Sequence, residues 1–119
     1  MNYKEEYRIF LEAMETGAPI PPEQVGRLIV KLAQSFSDVI AVAVKAEHAY
    51  NRKLAEFEQS KDEAGKALSS TKAESQAKAT AEYLAYITAK GDLSGIEQMI
   101  NGLKSLQKSL QNDFSYQGI

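Results

Sequence analysis

The side chains that carry out most protein chemistry are scarce in this chain, and their spacing suits none of the common site types. There is one histidine, His48, and no cysteine. A helical diiron centre needs Glu-x-x-His on two helices with further inward glutamates, so a single imidazole is too few. Glu47 directly precedes His48 and, on a helix, points about 100° away from it. The pair does not form a metal site, and His48 reads as a surface or boundary residue. A chain without cysteine has no zinc ribbon, thiol nucleophile or redox switch. Serine nucleophiles would depend on that one imidazole, and no Gly-x-Ser-x-Gly elbow occurs. The carboxylates fall mostly at positions that the apolar stripes leave facing water, which does not suit a buried acid–base pair. Gly91-Asp-Leu-Ser-Gly holds two glycines four apart, but it lacks the preceding strand and the Lys-Ser/Thr ending of a phosphate loop. The expectation is a non-enzymatic protein with no catalytic residue, no metal and no cofactor.

Binding chemistry is the other possibility. Lys104 and Lys108 stand one helical turn apart beside Ser105 and Ser109 and could touch phosphate, although a solvated helix face accounts for them equally well. Tyr83 and Tyr86, with Phe114 and Tyr116, could stack on bases. Only three arginines, Arg8, Arg27 and Arg52, accompany them, and the aromatic set reads as packing or a protein-contact surface. Fourteen Lys and Arg against sixteen Asp and Glu leave a formal charge of −2, whereas nucleic-acid proteins usually carry a basic excess or stripe. Nucleic acid is therefore not the expected partner, and Tyr83 and Tyr86 are the candidate partner-binding residues.

These side chains must be positioned by helices. At 119 residues, with 44% apolar and 25% charged residues, the composition is that of a globular protein, read as a single domain over 1–119. All three prolines, Pro19, Pro21 and Pro22, lie within four positions, and beyond them nothing removes a backbone donor from a helix. Tyr3, Tyr7, Phe10, Leu11 and Met14 share one side of a short helix over about 3–16, ending at Gly17. From Pro22 the positions Val25, Ile29, Leu32, Phe36, Ile40, Ala43, Glu47, Tyr50 and Leu54, apolar except for Glu47, advance at about 3.6 residues per step, which predicts a helix over about 22–62. Glu23 with Arg27, and Asp62 with Lys66 if the helix reaches that far, would be i,i+4 pairs along it. Gly65 lies in a stretch without an apolar stripe, so the chain turns back between 62 and 71. Thr71 and Glu74 form a candidate capping box for a third helix over about 72–113. Ala73, Ala77, Ala81, Leu84 and Ile87 would line its inner face, with Glu74, Lys78 and Glu82 outside. Gly91 to Gly95 marks where it would bend. The fold class is all-α: a short N-terminal helix followed by a long antiparallel helical hairpin.

Two helices of some 40 residues would each be roughly 60 Å long, against a diameter of about 35 Å for a compact globule of this size. Val39, Ile40, Val42 and Val44 point in different directions around a helix and cannot all face one partner. With Phe36 they form the candidate self-association surface. The assembly expected is a helical bundle, a homodimer or a higher even oligomer. Two other readings stay open: helix 1 folds over this patch within the same chain, or Val39 to Val44 forms a buried strand. No apolar run approaches the roughly 20 residues of a membrane span. The opening Met-Asn-Tyr-Lys-Glu-Glu has no signal-peptide pattern, so a soluble, cytoplasmic protein is expected.

The segments Ala49-Tyr-Asn-Arg-Lys-Leu-Ala-Glu-Phe-Glu and Ile96-Glu-Gln-Met-Ile-Asn-Gly-Leu-Lys-Ser-Leu-Gln-Lys-Ser-Leu-Gln-Asn-Asp-Phe-Ser resemble the small all-helical proteins encoded by phages and prophages. The resemblance runs from Pro22 to the end and is compositional, with no catalytic residue to carry over. It implies a coiled-coil-like interaction protein that binds a phage or host protein, such as an inhibitor of host defence of the anti-CRISPR kind. The alternative it implies is an accessory factor of phage recombination or replication that holds single-stranded DNA or a nucleotide.

Overall fold

The computed structural model describes residues 2–117, with side chains for 2–113. Among the described residues the chain is all-helical: α1 (Tyr3–Glu15), α2 (Pro22–Gln59), α3 (Ser70–Ala77) and α4 (Ala81–Gln117), with one isolated antiparallel bridge, Lys61 to Ala67. Val39 to Val44 lies inside α2, so the strand reading is set aside.

The helix ends follow from local chemistry. The Asn2 side chain accepts from the Glu5 amide at 2.9 Å and caps α1. At the other end the Thr16 hydroxyl donates to the Ala13 carbonyl at 2.6 Å, and Gly17 follows with φ +77°. Pro22 occupies the first turn of α2, where a missing N–H leaves nothing unpaired. The end of α2 comes three residues before the expected 62. There the Ser60 hydroxyl donates to the Phe57 carbonyl at 2.8 Å, and the chain enters a tight loop.

Asp62 and Lys66 are partners in that loop, though not as a helical ion pair. The Asp62 amide donates to the Lys66 carbonyl at 2.7 Å, and the Lys66 amide donates to the Asp62 carboxylate at 2.9 Å. Gly65, at φ +79°, closes the turn, and the Leu68 amide donates to the Ser60 carbonyl at 3.2 Å. The reversal falls within the expected window.

The expected third helix is two elements. The Ser69 hydroxyl, rather than Thr71, accepts from the Lys72 amide at 3.2 Å and starts α3. The loop hydrogen bond at Leu68 makes Ser69 the first residue free to cap. α3 then stops at Ala77. Thr80 donates to the Ala77 carbonyl at 2.6 Å and accepts from the Tyr83 amide at 3.3 Å, ending one helix and capping the next with a single hydroxyl. Lys78 and Glu82 therefore do not extend a ladder from Glu74. α4 runs unbroken from Ala81 through Gly91, Gly95 and Gly102, so these glycines do not end the helix.

The chain packs as two compact units. One holds the chain up to Asp38 together with the chain from Ser94 onward; the other is Val39–Leu93. In the first, Phe10, Val25, Leu32, Ile96 and Leu103 are buried. The Gln107 amide donates to the Pro22 carbonyl at 3.4 Å, passing over Gly26, whose missing side chain leaves it room. In the second unit the buried residues are Ala43, Tyr50, Ala73, Ala77 and Ala89.

Gly65→Ala should lower unfolding free energy in urea by about 1–2 kcal/mol, since a Cβ there meets no neighbour and only the left-handed backbone resists it. Gly91→Ala, in open space on a helix, should raise it by about 0.5–1 kcal/mol.

Candidate interaction surface

The sequence places Ala77, Ala81, Leu84 and Ile87 on one inner stripe, and the break at Lys78–Thr80 removes that relation. In a continuous helix Leu84, seven residues after buried Ala77, would return to the same face. After Thr80 the phase is reset. Ala89 is buried, and Leu84 and Ile87 point roughly 140° and 160° away from it. Leu84 is 67% exposed and Ile87 43%. Standing three apart on one helix face, they form a contiguous apolar patch. The side chains that turn inward instead are those of Tyr83 and Tyr86, both half-buried.

These two tyrosines, read from sequence as partner-binding residues, pack around Tyr50 of α2. The Tyr50 and Tyr83 ring centroids are 5.1 Å apart with planes at 58°, and Tyr50 meets Tyr86 edge-on at 5.4 Å. Tilted and edge-on pairs of this kind contribute about 0.5–1.5 kcal/mol each beyond the area they bury. The Lys90 ammonium stands 5.2 Å from the Tyr86 centroid, where a ring face attracts a cation. Tyr83 and Tyr86 thus hold the α2–α4 contact of this unit, and a partner would meet only the parts they leave uncovered. The side chains of Phe114 and Tyr116 lie outside the described residues.

The five self-association candidates do not form one patch. Phe36 belongs to the other unit and is half-buried there; Val39 is half-buried too. Ile40 and Val44 stand one turn apart on the same side of α2, 37% and 48% exposed. Val42, 60% exposed, lies about 160° round the helix from each of them. Buried Ala43 separates the two sides. Exposed apolar surface in this unit therefore comprises Ile40 with Val44, Val42 by itself, and Leu84 with Ile87.

His48 and Glu47 are both exposed. Among the described residues no three His, Asp or Glu side chains gather as a metal site would require, and no helix is long and apolar enough to cross a membrane. Lys104 and Lys108 are exposed on α4. Sequence reasoning missed the patch on α4. The available signal was Thr80 followed by Glu82, a cap residue with an acid in the first turn.

Tyr50→Ala should destabilise the protein by about 3–5 kcal/mol in urea unfolding, as expected for loss of a buried aromatic. Tyr50→Phe should stay within about 1 kcal/mol, because no hydrogen bond holds the hydroxyl among the described residues.

The chain matches no protein-family model, and neither curated proteins nor solved structures yield a match.

Proposed function

We propose that this chain is a non-enzymatic, self-associating helical protein that acts by binding another protein. In this reading α2 and α4 form a long antiparallel hairpin, and copies pair through the Val39–Leu93 unit into an even-numbered helical bundle. The observation that carries it is the inversion of that unit's apolar content. Four alanines and one tyrosine are buried, while Ile40, Val42, Val44, Leu84 and Ile87 are exposed. Burying each such aliphatic side chain contributes about 1.5–3 kcal/mol. These side chains are 37–67% exposed, so covering them adds only part of that figure, yet three together would still be a sizeable share of a net stability of about 5–15 kcal/mol. Homo-oligomers with closed symmetry are the common way to cover such surface.

The partner proposed is a phage or host protein met in the cytoplasm, with inhibition of a host defence system as the role. The resemblance in composition to phage-encoded helical proteins supports this part. Binding of single-stranded DNA is the rival outcome of the same experiments, and it would show a steep fall in affinity with added salt.

The test is mass in solution by light scattering or sedimentation. The unmodified chain should be an even oligomer. Ile40→Lys combined with Val44→Lys, and separately Leu84→Lys, should shift it toward the monomer with helicity retained. These positions are already partly in water, so a charge there leaves the intramolecular core intact. A wild-type chain that is monomeric at millimolar concentration would overturn the proposal.

A further inference from the structure

A second feature lies in the other unit. α1 and the start of α2 enclose an open groove of about 350 Å³, within the range of about 300–1,000 Å³ typical of small-molecule sites. Its floor is apolar: Ile9, Phe10 and Ala13 from α1 and Leu28 from α2. Phe10 is buried, and Ile9 is 44% exposed.

The charges at the groove are unequal. Glu6, Arg27 and Lys31 line it, a net of one positive charge. Glu6 is largely buried and forms an ion pair with Lys31, so those two charges compensate each other. Arg27 is exposed, and among the described residues it has no ion pair; the helical partner expected from sequence, Glu23, does not reach it. The guanidinium is a planar fork of donors suited to gripping a carboxylate with two hydrogen bonds. Beside it, the Gln24 amide offers a further donor.

We propose that this groove binds a small amphipathic anion, an aliphatic monocarboxylate whose chain lies on Ile9, Phe10, Ala13 and Leu28 and whose carboxylate pairs with Arg27. Both halves of the ligand have a counterpart. The apolar floor lacks a covering chain, and the uncompensated cation lacks an anion. A cationic amphiphile would meet the same floor but face Arg27 instead of a free carboxylate. Burial of the chain supplies affinity, and the charge selects the head group.

The probe is decanoate, titrated into the full-length protein below its micelle concentration and followed by amide NMR shifts. Saturable shifts confined to α1 and the first turns of α2 are expected, with acetate silent and decyltrimethylammonium at least about tenfold weaker. Arg27→Gln should weaken decanoate at least about tenfold, the scale of a charge-assisted hydrogen bond. Ala13→Trp should fill the groove and abolish binding with helicity unchanged. Glu6→Gln, which releases Lys31 to the ligand, should strengthen it. Equal binding of the decyl cation, decanoate affinity unaffected by Arg27→Gln, or no saturable binding by the folded chain would each overturn the proposal. An acidic amphipathic peptide that shifts the same residues where decanoate does not would replace it with a protein partner. Oligomeric state is not a readout here, so failure of this proposal and failure of the self-association reading are distinguishable.

Discussion

In the Val39–Leu93 unit everything turns on how little of the buried set is bulky. Tyr50 is the one large side chain among the buried residues; Ala43, Ala73, Ala77 and Ala89 are the rest. Alanine brings backbones close and loses no side-chain entropy, yet each one removes little apolar area from water. The rings of Tyr83 and Tyr86 against Tyr50 supply the bulk that the alanines lack. A core made this way fully buries none of the branched aliphatics on either helix: Val39, Leu54 and Leu93 are half-buried and the others are exposed. Ile40, Val42, Val44, Leu84 and Ile87 sit outside, and the proposed self-association rests on that displacement.

The unit formed by the chain up to Asp38 and from Ser94 onward follows the opposite rule. Val25 and Leu32 on α2, and Ile96 and Leu103 on α4, are buried seven residues apart on each helix, with Phe10 of α1 added. Along α2 the buried positions then step by eleven, from Leu32 to Ala43, and by seven again to Tyr50. Seven residues fall about 20° short of two full turns, and eleven overshoot three turns by a similar angle. One continuous helix can therefore serve an aliphatic core at one end and an alanine–tyrosine core at the other. Short α1 covers part of the aliphatic unit and leaves the groove beside Arg27 open.

Much of the fold was legible in the residues. The proline cluster placed the only linker of the N-terminal half; the 3.6-residue spacing gave α2 its start and course; Gly65 located the reversal. The break at Lys78–Thr80 was not legible as a break. Alanine continues a helical pattern on either side, and no Gly or Pro interrupts it. The stripe was therefore extrapolated through Thr80, which put Leu84 and Ile87 inside and left Tyr83 and Tyr86 free. Gly91 and Gly95 do not interrupt α4, because a conformational preference of about 1 kcal/mol is readily overridden by packing along the rest of the helix. The candidate surface was half readable: the directions of Ile40, Val42 and Val44 follow from helical geometry, whereas the patch on α4 depends on the phase set at Thr80.

Sequence alone determined that the chain is helical, where the first linker lies, and which stripe of α2 turns inward, because these depend on backbone chemistry and on a period that any straight helix must obey. Tertiary structure decided which of several hydroxyls caps a helix, which face of α4 is buried, and which charge is left without a partner. Those outcomes rest on competition between near-equal local choices, Ser69 against Thr71 and Glu23 against open water for Arg27, which a periodic pattern does not rank.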